Sequence, residues 1–326
     1  MSGASWSRRR LIGSGGLIAA GMLLPLRARS ATPIRVGYQA TLASAVDIIA
    51  IEEKLFDRAG VSIVASKFDA GRGVRDAIVA GAIDIGAMGS VPFVVGAARD
   101  EMTGIAIDSY FGGLVQLQVE ANSPVTRMED LRGKRIGTAV GSNTHSVLIE
   151  VIAPAFGLKP QDYKIVNVGF GNMHSALAAG SVDAITALEP YGSLAEQEGM
   201  SRPLLSFDKF DPSPNILVVR TAYLRANEAL VVAFLKPWLE GARIFNTERA
   251  RVASIVLREY ERQGYNLPPG VIEKSLSKLR VEPDITPDAR RYLADAAESL
   301  KRRNQLATLP NWDAALRQDL LRKARG

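Results

Sequence analysis

AIVAGAID at residues 77–84 returns as ALAAGSVD at residues 176–183, about a hundred residues further along the chain. Each copy has the pattern of a last helical turn, a glycine that ends the helix, and an apolar strand opened by an aspartate. Each strand then runs into a polar loop that contains a proline, GSVP at 89–92 and EPY at 189–191. Ligands of open α/β sheets bind beyond the carboxyl ends of the strands. The repeat therefore predicts two similar α/β lobes that hold a small molecule between them.

Apolar runs alternate with helical patterns around each copy, which is typical of βα units on a mostly parallel sheet. The predicted strands are 34–38, 61–67, 83–87 and 104–108 in the first half, and 134–139, 163–168 and 182–187 in the second. The predicted helices before residue 200 are 43–58, 74–80, 91–99, 142–156, 173–179 and 191–198.

Two segments, near residues 114–121 and 212–219, are predicted to cross between the halves as strands and to form a hinge. From Tyr223 onward nearly the whole chain has a helical pattern, and we expect these helices to pack on the first lobe. The predicted domains are lobe I, residues 32–115 plus 219–326, and lobe II, residues 116–218.

The net charge of +6 comes almost entirely from residues 1–31, which contain five arginines and no acidic residue. The rest of the chain has 35 basic and 34 acidic residues. A nucleic-acid-binding protein keeps its basic patch in the folded part. The charge distribution therefore argues against nucleic acid as a partner.

The first 31 residues have the pattern of an export signal. SRRRLI at 7–12 matches a twin-arginine motif, and ARSA at 28–31 is a suitable cleavage region. The apolar run at 11–26 is short and rich in glycine, which disfavours an uncleaved membrane anchor. The chain has no cysteine, so it has no disulfide, no thiolate metal site and no lipid-modified cysteine. We expect a protein that is free in the periplasm.

GSNTH at residues 141–145 is the strongest local candidate for a ligand site. It follows a predicted strand and opens a long helix, so free backbone N–H groups point outward there. Ser142 and Thr144 add hydroxyls, Asn143 adds an amide and His145 adds an imidazole. This chemistry suits the capture of an oxyanion by dipoles, without a fixed charge opposite it. The alternative is that Ser142 or Asn143 only caps the helix.

Other polar or aromatic residues follow predicted strands. Ser90 opens a helix in the first lobe, where it is either a ligand donor or an N-cap. Tyr38 and Gln39 follow the first strand, where they line a cleft, although Tyr38 is equally consistent with core packing. Glu189 and Tyr191 follow a strand of the second lobe. A carboxylate there suits a ligand amine or hydroxyl, and it equally suits the first turn of a helix.

GFGNMH at residues 169–174 resembles half of a dinucleotide fingerprint, but His174 occupies the third glycine position and the following segment is too short. We interpret it as a helix-start loop in which Asn172 faces the cleft. The two histidines form no metal motif, and no nucleophile-elbow motif occurs after residue 31. The sequence therefore predicts no metal, no cofactor and no catalytic residue. Asp84 and Asp183, which match in the repeat, are predicted to cap backbone at the strand entrances.

Several motifs resemble a known family. DLRGKRIG at 130–137, with 141–145, is similar to the second lobe of bacterial solute-binding proteins, the binding components of ABC importers for nitrate, sulfonates and taurine. GYQ at 37–39, KFDAG at 67–71 and IGAMGSVP at 85–92 resemble the first lobe of the taurine and aliphatic-sulfonate branch.

The resemblance implies an α/β fold of the type II periplasmic-binding-protein class, with two crossover strands as a hinge. It also implies a monomer that closes on a small organic anion, a sulfonate or carboxylate, and docks to an ABC permease and its ATPase in the inner membrane. With the residues above, the ligand-facing candidates are Tyr38, Gln39, Ser90, Ser142, Asn143, Thr144, His145, Asn172, Glu189 and Tyr191. Two alternatives remain: an enzyme on the same scaffold that acts on a small acid or pyrimidine precursor, and a ligand-sensing subunit for a membrane kinase.

Overall fold

The computed structural model describes residues 32–39 and 41–326, so the predicted export signal at 1–31 lies outside the described residues. Residues 33–326 pack as one unit that contains two five-stranded sheets. We keep the names lobe I and lobe II for the bodies built on the first and the second sheet.

The first sheet has four strands that run in one direction and one strand that runs against them. Its strands are β1 (Ile34–Gln39), β2 (Ile63–Phe68), β3 (Ile85–Gly89), β4 (Met102–Tyr110) and β10 (Pro214–Arg220). Their spatial order is β2-β1-β3-β10-β4, with β10 antiparallel to both neighbours. A Cβ on Gly86 would lie 2.8 Å from the carbonyl oxygen of Gly37, so only glycine fits where β1 and β3 pair.

The second sheet repeats this arrangement. Its strands are β5 (Val115–Glu120), β6 (Arg135–Thr138), β7 (Lys164–Asn167), β8 (Ala184–Leu188) and β9 (Ser201–Ser206). Their order is β7-β6-β8-β5-β9, with β5 antiparallel to both neighbours. Strand β9 was not predicted from the sequence, because SRPLLS contains a proline and carries no strict alternation; as an edge strand it tolerates the proline.

The helices cover both sheets, and most of them follow the predicted positions. Those before residue 200 are α1 (Ala45–Glu52), α2 (Leu55–Arg58), α3 (Gly71–Val79), α4 (Ser90–Ala97), α5 (Asn143–Val147), α6 (Ala153–Ala155), α7 (Met173–Ala178) and α8 (Tyr191–Gln197). The later ones are α9 (Thr221–Thr247), α10 (Arg249–Arg262), α11 (Pro269–Ser277), α12 (Pro287–Arg302), α13 (Trp312–Ala315) and α14 (Gln318–Arg325).

Two predicted helices are interrupted. The helix predicted over 43–58 breaks at Lys54, whose φ of 52° is left-handed. The helix predicted over 142–156 contains a π-helical segment at Leu148–Ile152 between α5 and α6. Lys54 is neither glycine nor proline, so the sequence pattern gave no sign of the first break. The second break had a signal in Pro154, which has no N–H to donate to the carbonyl of Glu150 in the π-helical segment.

Two crossing segments, residues 111–114 and 207–213, connect the sheets. They lie side by side, since the Phe111 N–H donates to the Ser213 carbonyl and the Gly112 N–H donates to the Pro212 carbonyl, each at 3.1 Å. The chain re-enters the first sheet at Pro214, ahead of the boundary predicted at residues 218 and 219. The domain boundaries stay a prediction, and the two crossings form the thin connection that a hinge requires. The prediction that they cross as strands is wrong, because most of 114–121 lies in β5 and most of 212–219 lies in β10, inside the two sheets.

The repeat gives each sheet the same clamp between an aspartate and an arginine. Asp84 accepts hydrogen bonds from the backbone N–H and the guanidinium of Arg35, and Asp183 does the same with Arg135. Each pair joins the two parallel strands at the centre of its sheet. Both aspartates therefore cap backbone at the strand entrance, as the sequence predicted.

The C-terminal helices pack mainly on lobe I, which agrees with the sequence-based expectation. Trp238 and Phe245 of α9 are buried in the core beside α1. Helix α12 packs on α4, and α11 reaches α8 of lobe II. No helix within residues 32–39 and 41–326 has the length and apolar character needed to cross a bilayer.

Candidate functional site

Polar residues of the two lobes meet where strands end. Strand β3 ends at Gly89 and α4 begins at Ser90, whose hydroxyl donates to Asn143 Oδ1 at the start of α5. A Cβ on Gly89 would lie 3.0 Å from the Cβ of Asn143, so the two loops pack without space for a further side chain. This contact brings the two predicted helix starts into one site.

A cavity lies between the lobes at this contact. Its lining residues come from both lobes and the first crossing segment: Gln39, Thr41, Ala43, Gly71, Arg72, Gly89, Pro92, Phe111, Leu114, Ser142, Asn143, Thr144, Phe170, Leu188 and Glu189. Its volume is about 30 Å³, far below the roughly 300–1,000 Å³ of ordinary ligand pockets. The lobes are therefore closed on each other in this conformation.

Asn143 lines this cavity and also a second cavity, whose wall includes Tyr292. The residue is 4% exposed, and its Oδ1 accepts from Ser90. Within the described part of the chain, its buried Nδ2 has no hydrogen-bond partner. An unsatisfied buried donor costs about 1–3 kcal/mol. An acceptor brought within reach of Nδ2, either the nearby Tyr292 hydroxyl or a ligand atom, would remove that cost.

Ser142 and Thr144 also line the cavity, on either side of Asn143. Ser142 is the N-cap of α5, because its hydroxyl accepts from the backbone N–H of His145 at 3.2 Å. The capping role predicted as the alternative is therefore real, and Ser142 lines the cavity as well. Thr144 is buried.

Arg72 is the basic residue that the sequence analysis missed. It lies at the start of α3 in lobe I, and its Nη1 is 3.4 Å from the carbonyl oxygen of Val140 in lobe II. It is the one cation among the described residues that line the cavity. The expectation of a site without a fixed charge is therefore wrong. An arginine between Gly71 and Gly73, in the loop that follows the strand predicted over 61–67, was a signal that could have indicated it.

Glu189 lines the cavity, but its carboxylate is already bonded inside the protein. It accepts from the backbone N–H and the hydroxyl of Ser193, from the hydroxyl of Ser275, and from Lys278 Nζ. The ion pair with Lys278 neutralises its charge. This corrects the hypothesis that Glu189 faces a ligand amine, because both oxygens are occupied.

Gln39 also lines the cavity and is buried. Its Nε2 points into lobe I, where it donates to the carbonyl of Ala87 at 3.4 Å and to Asn215 Oδ1 at 3.1 Å. The prediction that Gln39 faces the cleft thus agrees with its position, although its N–H groups are not directed at the cleft.

Five predicted site residues do not line the cavity. Ser90 is buried behind Asn143, and Asn172 is exposed at the start of α7. Tyr38 packs on the lobe I core, in the role given as its alternative. Tyr191 belongs to a tyrosine cluster, with ring centroids 4.8 Å from Tyr265 and 5.9 Å from Tyr260.

His145 is the fifth. Its Nδ1 accepts from the Gly141 N–H at 3.5 Å. Burial lowers its pKa, the nearby Arg303 lowers it further, and Glu150 partly opposes them. The imidazole is therefore neutral at pH 7 and adds no positive charge to the site.

A second cavity, of about 250 Å³, is lined by Asn143 together with residues of the π-helical segment and of α12. Here Glu150 of lobe II accepts from Ser299 and pairs with Arg303, both at the C-terminal end of α12. The lobes are thus joined by charged contacts on this flank as well. Within the described residues, no three histidine, cysteine or acidic side chains are grouped to bind a metal ion.

Comparison with known proteins identifies the family. A family profile described as "NMT1/THI5 like" matches residues 43–247, more than half of the chain. The chain belongs to the NMT1/THI5-like family. This confirms the resemblance to solute-binding proteins, since the three relatives named below are binding proteins of this type.

The taurine-binding periplasmic protein of Escherichia coli (strain K12) is 23% identical over 309 residues, which cover 90% of this chain and 94% of that protein. The alkanesulfonate-binding protein SsuA from Xanthomonas axonopodis pv. citri, solved bound to MOPS, superposes with a TM-score of 0.76 at 22% identity, covering 87% of this chain and 97% of that one.

The periplasmic aliphatic sulphonate binding protein SsuA from Escherichia coli superposes with a TM-score of 0.73 at 21% identity, covering 87% of this chain and 91% of that one. These likenesses confirm the predicted two-lobed α/β periplasmic-binding-protein fold. These three relatives are named as binding proteins, in agreement with the prediction of a non-enzymatic protein.

Proposed function

We propose that this chain is the solute-binding component of an ABC importer and that it captures a small organic anion between its lobes in the periplasm. The observation that carries the proposal is the cavity between the lobes, lined by the guanidinium of Arg72 and the unpartnered amide of Asn143. The only lining carboxylate, Glu189, is neutralised by Lys278 in the described structure. The site therefore offers an excess of positive charge and free donors, which suit a sulfonate or carboxylate.

The apolar part of the lining indicates an organic ligand. Phe111 and Leu114 of the first crossing segment face the cavity, together with Phe170 and Leu188 of lobe II. Aromatic and aliphatic walls with a few placed polar groups are typical of sites for small organic molecules. A bare inorganic anion such as nitrate would leave these walls without a partner.

Binding requires the lobes to separate and then close. A cavity of about 30 Å³ has room for little more than one water molecule. Opening about the two crossing segments would break the Ser90–Asn143 and Arg72–Val140 contacts and expose the donors. A ligand that contacts both lobes favours the closed state by its preferential affinity for it. We propose that the permease and its ATPase recognise this closed form.

A thermal-shift screen tests the proposed ligand class. The panel contains taurine, short and long alkanesulfonates, MOPS, aromatic carboxylates, nitrate and pyrimidines. A ligand at a hundred times its Kd stabilises the native state by about 2.7 kcal/mol, so a true ligand raises the unfolding midpoint clearly. We expect a sulfonate or a carboxylate to do so. A panel in which only the pyrimidines or no compound raises the midpoint would contradict the proposal.

Arg72→Gln tests the part played by the cation, with Arg75→Gln as the matched control. Both arginines are on α3, but Arg75 is paired with Asp76 and does not line the cavity. A charge-assisted hydrogen bond contributes about 1.5–3 kcal/mol. We therefore expect Arg72→Gln to weaken anion binding by about tenfold to a hundredfold in calorimetric titrations and Arg75→Gln to leave it unchanged. Equal affinities of the two variants would show that Arg72 does not contribute to anion binding.

A further inference from the structure

A series of buried polar groups leads from the cavity wall into lobe I. Gln39 Nε2 donates to Asn215 Oδ1 at 3.1 Å, and Asn215 Nδ2 donates to Asp108 Oδ2 at 2.9 Å. All three side chains are buried, and only Gln39 lines the cavity. The series therefore determines which end of the Gln39 amide faces a ligand.

Two backbone carbonyls fix the orientation of both amides. The Ala43 carbonyl accepts from Asn215 Nδ2 at 3.3 Å, and the Ala87 carbonyl accepts from Gln39 Nε2 at 3.4 Å. A carbonyl oxygen can only accept. Turning either amide around would place two acceptors against each other at each of these contacts. The nitrogen of Gln39 therefore points inward, and its Oε1 is left for the cavity.

Asp108, at the acidic end of the series, holds the two amides in this orientation whether or not its carboxyl group carries a proton. Burial raises the pKa of Asp108 well above its usual value, and the neighbouring Asp47 raises it further. Asp47, which accepts from Trp238 Nε1, has a pKa raised by burial to about 7. Ser44 and Ser109 are the other polar groups beside these two carboxyls.

A proton on Asp108 has one suitable position. Its Oδ2 accepts from Asn215, whereas its Oδ1 and Asp47 Oδ2 are both buried without a hydrogen-bond partner in the described chain. A proton on Oδ1 therefore leaves Oδ2 an acceptor. Asn215 keeps donating to Asp108 in either state, and the orientation of Gln39 does not depend on pH.

We propose that Gln39 presents its carbonyl oxygen to the ligand and that the ligand is an organic anion that also carries a hydrogen-bond donor. This inference rests on the proposed function. An anionic head group is repelled by Oε1, so it lies on the side of Arg72 and Asn143, and the donor lies on the side of Gln39. Because Glu189 is neutralised, the donor is a hydroxyl or a neutral N–H group. Asn215 and Asp108 are positioning residues that act through Gln39.

Two sulfonates of similar size test the proposal: 2-hydroxyethanesulfonate and propanesulfonate, in which a methyl group replaces the hydroxyl. A buried acceptor left without a donor costs about 1–3 kcal/mol, so we expect the hydroxylated compound to bind about tenfold more tightly in calorimetric titrations. In Gln39→Leu and Asn215→Leu this preference falls to about one. Thr103→Val removes a buried hydrogen bond to Thr221 that does not involve the cavity residues, and it should keep the preference. A wild-type chain without the preference overturns the proposal.

A measurement without ligand separates this proposal from the proposed function. The side-chain NH₂ signals of Gln39, identified by their loss in Gln39→Leu, should exchange slowly with solvent because they are bonded to Asn215 and Ala87. Asn215→Leu should make them exchange faster. Fast exchange in the wild-type chain overturns the proposal even if the anions bind. If no anion binds but exchange is slow, the proposed function fails and the orientation of Gln39 stands. If Asn215→Leu does not fold, the exchange rate of the Gln39 NH₂ group in the wild-type chain still tests the proposed orientation of the amide.

Discussion

Lobe I and lobe II have the same sheet and the same clamp, but different loops after the third parallel strand. The strand orders match one to one, and Asp84 with Arg35 corresponds to Asp183 with Arg135. After the strand, lobe I continues with Ser90, which bonds to Asn143 across the interface, and lobe II continues with Glu189, which bonds to Lys278. The repeated residues hold the scaffold together, whereas the residues that differ make the site between the lobes.

The clamps themselves differ in burial. The carboxylate of Asp84 is 2% exposed and is bonded by a second arginine, Arg220 of β10. The carboxylate of Asp183 is 30% exposed and has only Arg135 among its described partners. The difference arises because the strand that returns from lobe II lies in the lobe I sheet and brings an extra cation with it. We therefore expect the two lobes to respond unequally to matched substitutions.

Lys278→Met has the largest expected effect. It leaves the buried carboxylate of Glu189 with hydroxyl and backbone donors but without its cation. Breaking a buried ion pair on one side costs about 3–5 kcal/mol. We expect a loss of about 3 kcal/mol in the free energy of unfolding, measured by denaturant titration. Restoring the charge with Lys278→Arg should recover part of it, and a loss below about 1 kcal/mol would show that the pair is not buried as described.

Asp84→Asn and Asp183→Asn compare the two clamps directly. Removal of the charge leaves Arg35 and Arg220 facing a neutral group in lobe I, but only a half-exposed Arg135 in lobe II. Partly exposed pairs contribute at most about 1 kcal/mol, and more buried ones contribute more. We expect losses of about 2 kcal/mol for Asp84→Asn and about 0.5 kcal/mol for Asp183→Asn in the same titrations. A reversed order would contradict the comparison.

Ser90→Ala and Ser193→Ala each remove one hydroxyl from the helix that follows the third parallel strand of a lobe. Ser193 bonds to Glu189, which keeps its other donors, whereas Ser90 is the donor to Asn143 Oδ1. Each loss should cost about 1 kcal/mol of stability. Only Ser90→Ala frees Asn143 to turn, so it alone should weaken anion binding, by about threefold to tenfold in calorimetric titrations. Equal effects on affinity would mean that Asn143 does not contact the ligand.

Much of the scaffold could be predicted from the sequence. A continuous apolar run between two helical patterns indicates a strand whose sheet is covered by helices on both faces. The residues of the functional loops were harder to predict from the sequence. Asn143 was found because four polar residues follow one another at a helix start. Arg72 was missed, since nothing local shows that α3 of lobe I meets Val140 of lobe II. Likewise the pairing of Glu189 with Lys278 joins residues far apart in the chain, and only the packing of α11 brings them together.

Lowering the pH should also reduce the stability that each clamp contributes, by a smaller amount than the substitutions above. Burial raises the pKa of Asp84, but the hydrogen bonds from Arg35 and Arg220 outweigh it, so its pKa in the folded chain is below the usual value. The hydrogen bond from Arg135 likewise lowers the pKa of Asp183 against its burial. A lowered folded pKa gives stability above the unfolded value of about 3.9, and that stability is lost as pH falls through the folded value.

The stability difference between wild type and Asp84→Asn should therefore shrink as the pH falls from 5 to 2, by less than about 2 kcal/mol. The corresponding difference for Asp183→Asn should shrink by a smaller amount. Denaturant titrations at several pH values measure both differences. A difference for Asp84→Asn that stays constant down to pH 2 would show that the carboxylate is not held by the arginines.

Spin-label distance measurement tests the central claim, closure of the lobes on an anion, most directly. The chain has no cysteine, so Val64→Cys in lobe I and Met200→Cys in lobe II, both at exposed positions, give two unique labels. The account predicts a broad distribution of longer distances without ligand. With a bound sulfonate or carboxylate it should narrow to the distance of the closed structure, and Arg72→Gln should shift the population back. A distribution unchanged by an anion that demonstrably binds would contradict the account.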